Sequence, residues 1–252
     1  MWNANAATVR ALMLAASMVL IAGCDTGAAP RQVSNALAEF KLPSARYQVD
    51  PARHRIWALT PEGVFLFDVS RPERVAVPIP GWVWAGAPYG CLPDLALGPR
   101  GEAVVTSNVL PTLWRIDPDS LAVSEHALAL DADAGKDVGF TGLVFSAQHG
   151  AYFAASEAHG SLWRIDPQLR TAQKMPLSAS IPQPCGLALR PRSSPQPLSR
   201  MADLCVGTPE GGWSVLFAPD GRSTFLGAAP CAARPFEAGR GQRQVQRGVP
   251  NA

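Results

Sequence analysis

The chain is poor in charge, in lysine and in tyrosine. Charged side chains make up 17% of its 252 residues and the formal net charge is +2. With a balance that near to neutral, nothing in the composition suggests nucleic acid as a partner. Only three of the 22 basic residues are lysine, a bias of composition with no chemistry attached. Also missing are the patterns C-x-x-C and H-E-x-x-H, a glycine-rich phosphate loop and a nucleophile elbow. His54, His126, His149 and His159 are scattered without ligand spacing. These absences remove zinc-finger, zinc-protease, nucleotide-binding and α/β-hydrolase readings. No apolar run reaches the ~18 residues that a membrane-spanning helix needs.

What is present is periodic. Asp68, Asp117 and Asp166 lie 49 residues apart, each closing a short apolar run. Two of those runs are the same hexapeptide, Leu-Trp-Arg-Ile-Asp-Pro, at 113–118 and 162–167; the third is Val64 to Asp68. A fixed period near 50 filled with strands marks a blade repeat. Alternation within Leu113–Asp117 and Leu162–Asp166 predicts the third strand of successive blades. Asp-Pro after each is a turn, since proline presets φ and aspartate accepts local backbone bonds. Leu121 to Leu130 supplies a fourth strand. Trp57, Trp114 and Trp163 sit within strands and belong to the core.

The fold class expected is all-β, a β-propeller with four recognisable four-stranded blades of about 49 residues. A β-sandwich is disfavoured because the hexapeptide lies at one offset from a glycine turn in both copies. Six or seven such blades would need about 300 residues or more, so a small ring and an incomplete ring both stay open. Around Trp114–Pro118 and Trp163–Pro167 the chain resembles the broad propeller superfamily of NHL, YVTN and gluconolactonase/regucalcin-like proteins, over residues 45–227. Such units identify a fold and not an activity.

The N-terminus predicts a lipoprotein. Arg10 precedes an apolar run from Ala11 to Ala22, which ends in Ile21-Ala-Gly-Cys24. The run suits a signal peptide, and its end resembles a bacterial lipobox, in which Cys24 would carry the lipid. Asp25 resembles an inner-membrane retention signal. The expected organisation is a signal peptide at 1–23, a tether at 24–44, the propeller at 45–231 and a disordered basic tail at 232–252, solvated or against anionic headgroups. The cell envelope, facing the periplasm, is the expected location. The partners are the membrane, through the lipid anchor, and an envelope protein.

Loops after second strands and loops between blades open on one face of a propeller, and loops carry function on a rigid scaffold. The first set carries Glu62, Asn108, Glu157 and Glu210; the second carries Trp82, Trp84, Tyr89, Asp94 and the run Asp131 to Asp137. Aromatic residues displayed among Gly, Pro and Ala suit contact with a partner or a sugar, or packing over the channel mouth. The leading reading is a binding or scaffolding module with no catalytic residues and no cofactor. Gluconolactonase-like hydrolases hold a divalent ion with Glu, Asn and Asp, and the same residue types stand here, so a metal-dependent lactonase-like hydrolase is the runner-up. A periplasmic sensor or accessory subunit is the third reading. Asp131, Asp133 and Asp137 resemble a calcium loop weakly, because Lys136 replaces its glycine.

Cys91, Cys185, Cys205 and Cys231 make an even set that suggests disulfides outside the cytoplasm. Cys185 opens the inner strand of copy four and Cys205 closes its neighbour, so Cys185–Cys205 is the expected pair. Cross-mouth pairing of Cys185 with Cys91 or Cys231 is the alternative.

Overall fold

The computed structural model describes residues 46–86, 90–189, 202–208, 211–217 and 223–228, all within one compact unit. Cys24, Tyr89, Glu210 and Cys231, and the leader, tether and tail segments, lie outside them. The described residues form strands and no helix.

The periodic pattern becomes four antiparallel sheets, each a blade. Blade 1 is β1 (Arg46–Asp50), β2 (Arg55–Thr60), β3 (Gly63–Asp68) and β4 (Arg71–Val77). Blade 2 is β5 (Leu95–Leu97), β6 (Ala103–Thr106), β7 (Thr112–Ile116) and β8 (Val123–Ala127). After β9 (Ala129–Leu130), blade 3 is β10 (Gly142–Ser146), β11 (Ala151–Ser156), β12 (Ser161–Ile165) and β13 (Thr171–Lys174). Blade 4 is β14 (Leu187–Leu189), β15 (Ala202–Thr208), β16 (Gly211–Phe217) and β17 (Ser223–Ala228). The fold is a β-propeller.

The two hexapeptides supply β7 and β12, the third strands, and Trp114 and Trp163 are fully buried, as is Trp57. The period-49 aspartates recur because each folds a turn. Asp68 Oδ1 accepts the Ser70 N–H at 2.9 Å, Asp117 Oδ1 that of Asp119 at 3.0 Å and Asp166 Oδ1 that of Gln168 at 2.9 Å. The Ser120 amide and hydroxyl hold the Asp117 carboxyl below the usual carboxylate range. The proline after the aspartate has a second use. Arg115 Nη2 donates to Pro167 O across to blade 3 at 2.8 Å, and Arg55 donates to Pro118 O across to blade 2.

Apolar side chains from adjacent sheets make the cores. One holds Trp57, Leu66, Leu95, Val105 and Ile116 between blades 1 and 2. A second holds Val104, Phe140, Leu143, Ala154 and Trp163 between blades 2 and 3. A third holds Phe153, Leu162, Ile181, Leu204 and Val206 between blades 3 and 4.

The expected single strand from Leu121 to Leu130 is divided. β8 edges blade 2, and then the chain crosses so that β9 pairs in parallel with β13 on the outer edge of blade 3. The break falls at Leu128, which is buried in the core between those blades. Burying that side chain turns the backbone from one sheet edge to the next and covers an edge that would otherwise be open.

Inner strands of neighbouring blades contact one another, β1 with β5, β5 with β10 and β10 with β14, and a side chain of β1 reaches the segment ahead of β14. Gln48 Nε2 of β1 donates to Leu95 O of β5 at 3.1 Å. The Leu143 N–H of β10 donates to Asp94 Oδ2, just ahead of β5, at 2.9 Å. A Cβ on Gly142 would lie 2.8 Å from the carbonyl carbon of Gly186, ahead of β14. Arg46 Nη2 of β1 closes the set by donating to Cys185 O at 3.1 Å.

Candidate functional site

The loop between blades 1 and 2, described at 78–86 and 90–94, lies on the loop-bearing rim. Its prolines and glycines leave its backbone polar groups without a sheet, so side chains of the next blades take them up. Asn108 does most of this. Its Oδ1 accepts the Ala85 N–H at 2.9 Å, and its Nδ2 donates to Ala85 O at 2.7 Å and to Cys91 O at 3.1 Å. Ser107 Oγ donates to Val83 O at 2.6 Å. Glu157 Oε2 accepts the Cys91 N–H at 3.1 Å. Gly139 permits the closest approach, since a Cβ there would lie 1.9 Å from the Asn108 carbonyl carbon.

Asp94 is a buried bridge between blades. Its Oδ1 accepts the Leu95 N–H at 2.8 Å and its Oδ2 the Leu143 N–H at 2.9 Å. Its own N–H donates to Thr106 Oγ1 at 2.8 Å, and that hydroxyl donates to Phe140 O at 2.7 Å. Burial pushes the Asp94 carboxyl up, while the Arg46 cation and the two amides pull it back.

The two rim tryptophans pack on each other with ring centroids 6.0 Å apart. Trp82 Nε1 donates to Thr106 O at 2.9 Å, which fixes one indole. Both line a small apolar cleft, with room for about one water, beside Arg46, Leu59, Pro61 and Pro93. Between them Val83 is 49% exposed.

The sequence-predicted rim residues thus divide. Trp82, Trp84, Asp94, Asn108 and Glu157 come together around one loop. Glu62 is an exposed residue of the β2–β3 turn, its N–H donating to Thr60 Oγ1 at 3.1 Å. Glu210 lies outside the described residues. A divalent ion of the kind the lactonase resemblance implies needs several oxygens aimed at one point. Here both oxygens of Asp94, the Asn108 oxygen and one oxygen of Glu157 are each turned to a backbone amide. The set does not fit such an ion, and no hydrolytic step is derived through one. Asp131, Asp133 and Asp137 do not form a calcium loop either. Asp131 Oδ1 accepts the Lys174 N–H at 2.8 Å, and Asp133 pairs with both Lys136 and Lys174, so lysines occupy the place of a cation.

The expected Cys185–Cys205 bridge is corrected. Cys185 is joined to Cys91, with Cα atoms 5.3 Å apart. The strand register explains why. Cys205 pairs opposite Ala188, in mid-strand, while the Cys185 N–H donates to Gly207 O. Three residues of offset along a strand is about 10 Å, beyond the reach of ~7 Å that a bridge tolerates. Cys205 is itself disulfide-bonded. The bridge therefore ties the loop before blade 2 to the loop before blade 4, across the mouth. Glu157 lies beside it, with a carboxylate oxygen and both sulfurs all within 4.8 Å of one another.

Sequence reasoning missed Arg46, Thr106 and Thr141 as rim-organising residues. Thr141 Oγ1 donates to Pro184 O at 2.6 Å and so holds the Cys185 loop. The one usable signal was the equivalent placement of Cys91 and Cys185 ahead of inner strands.

No protein-family model matches the chain, and no curated protein matches it. Among solved structures, a streptogramin B lyase is similar at 16% identity and a TM-score of 0.51, with 75% of this chain and 55% of that one covered. An auxiliary nutrient binding protein from Bacteroides thetaiotaomicron is similar at 12% identity and a TM-score of 0.51, with 76% and 44% covered. The chain spans about half the length of these two structures. At such identity the likeness establishes the propeller fold.

Proposed function

We propose that the chain is a lipid-anchored binding module of the cell envelope, whose ligand face is the rim carrying Trp82 and Trp84. The carrying observation is the division of labour on that rim. The polar side chains are spent on holding a loop in place, and the aromatic pair they hold lines a cleft beside exposed Val83. A preformed apolar cleft with a few fixed polar groups is how binding sites are built. A rim built for hydrolysis would instead leave oxygens free to hold an ion or activate water. The disulfide supports an oxidising compartment. The lipobox-like Ile21-Ala-Gly-Cys24 makes Cys24 the proposed attachment point, with 24–44 as tether and 45–231 as the folded body. Asp25 favours the inner membrane. A protein of the envelope is the proposed partner.

The test is a photo-crosslinking amino acid at Val83 in the membrane-bound protein. One envelope component should be captured, and Trp84→Ala should abolish capture while leaving the fold intact. Equal capture by Trp84→Ala, or none by the parent, overturns the reading. Cys24→Ser should leave the membrane fraction and no longer take up labelled palmitate.

A further inference from the structure

We propose that Cys91, Cys185 and Glu157 form a zinc site once the bridge between the two cysteines is reduced. Two sulfurs and a carboxylate within 4.8 Å of one another are a donor set that zinc accepts. Tetrahedral zinc at about 2.3 Å from each sulfur holds its two sulfurs about 3.8 Å apart. Cysteines whose Cα atoms are 5.3 Å apart reach that separation with small side-chain rotations.

The site survives reduction because the bridge is not what positions its parts. The Cys91 backbone is gripped at both ends, its N–H by Glu157 and its carbonyl by Asn108. The Cys185 backbone is gripped likewise. Its N–H donates to Gly207 O at 2.7 Å, its carbonyl accepts from Arg46, and the preceding Pro184 carbonyl accepts from Thr141. Glu157 is seated against Gly90, where a Cβ would come within 3.0 Å of its Oε1. Both thiols are therefore left facing each other beside a carboxylate that is already ordered.

The chemistry balances with a dithiol donor. The donor supplies two electrons and closes to its own disulfide, the Cys91–Cys185 bond breaks, and the donor's two protons end on the two Sγ atoms. Zinc then displaces both protons to solvent, since the thiolate is the ligand. Two thiolates and the Glu157 carboxylate bring one negative charge more than the ion cancels, and the Arg46 guanidinium on the Cys185 carbonyl offsets it. Three protein ligands leave the fourth position to water, the arrangement of an open zinc site. In the oxidised chain the same sulfurs are joined to each other and the ion is excluded. The site is thus a metal site switched by thiol state, and it is independent of what the Trp82–Trp84 cleft binds.

The test uses the full chain in detergent, reduced with a phosphine that does not itself chelate zinc. The probes are zinc against a chromophoric chelator, and cobalt by absorption. One zinc should bind per reduced chain with none per oxidised chain, and cobalt should give thiolate charge-transfer and four-coordinate ligand-field bands. Cys91→Ser should abolish the stoichiometric zinc, although Cys24, Cys205 and Cys231 remain. Glu157→Gln should weaken zinc at least about tenfold, the loss that even an outer partner of a metal ligand brings, and shift the cobalt bands with the strand circular dichroism unchanged. The proposal is overturned if the reduced chain takes no zinc, if the oxidised chain takes as much, if Cys91→Ser binds like the parent, or if Glu157→Gln changes neither affinity nor spectrum. It is overturned equally if reduction unfolds the chain and zinc does not restore it.

Discussion

Aspartates with the same formula do different work here because their surroundings differ. Asp68, Asp117 and Asp166 fold exposed turns. Asp94 is buried and satisfies two backbone amides from different blades. Removing its acceptors in Asp94→Ala leaves the Leu143 N–H buried without a partner, which costs about 1–3 kcal/mol. Urea unfolding of parent and variant measures it, and an unchanged midpoint would sink the bridging role. Asp133 is the opposite case. Hydrogen bonds from Lys136 and then Lys174 draw its carboxyl down to about 2. Its unfolded value is ~3.9, so between these values the folded chain binds fewer protons than the unfolded one. The stability it contributes is present above pH ~4 and is lost as pH falls toward 2. Asp133→Asn should lower the urea midpoint at neutral pH and match the parent near pH 2. A gap of the same size at both pH values would refute the clasp.

At the scale of elements, the third strands of blades 2 and 3 each place a fully buried tryptophan in the core. Trp163 of β12 is fully buried between blades 2 and 3, and its ring meets Phe140 edge-on at 6.2 Å. Its Nε1 donates to Ser161 Oγ at 3.0 Å. Trp163→Ala removes a large core side chain and should cost about 3–5 kcal/mol, with Trp163→Phe well below that. Chemical denaturation of both variants decides it; a loss under about 1 kcal/mol in the alanine variant would mean the core refills. Trp114 shows how packing chooses partners for the same hexapeptide. Its Nε1 donates to Pro80 O in the inter-blade loop instead, so the repeat is kept in sequence while the hydrogen bond follows the neighbour.

At the scale of the molecule, the Cys91–Cys185 bridge joins the loop before blade 2 to the loop before blade 4. The bridge spans a sequence separation of 94, long enough for chain entropy to favour a large contribution. Cys91→Ser with Cys185→Ser should cost about 2–5 kcal/mol. Non-reducing peptide mapping should recover the peptide linking Cys91 to Cys185. A Cys185–Cys205 peptide would restore the local pairing and dissolve the cross-mouth link.

The blade repeat, its strand order and the burial of Trp114 and Trp163 were legible in the residues, because they follow from local periodicity and from aspartate turns that close on neighbouring amides. The gathering of Trp82, Trp84, Asp94, Asn108 and Glu157 on one rim followed from the same regularity, since each sits at a fixed place in its repeat. Their roles did not. Asn108 and Glu157 carry the side chains a metal ligand would need, and only the tertiary structure shows the Asn108 oxygen and one Glu157 oxygen turned to the Ala85 and Cys91 amides. The disulfide was open for a similar reason. Which cysteine lies nearest to Cys185 depends on the β14–β15 register and on how opposite loops lean over the axis. Sequence by itself determined the element types, because those are local. Tertiary structure decided every partnership between blades, because distance across a ring is not encoded in spacing along a chain.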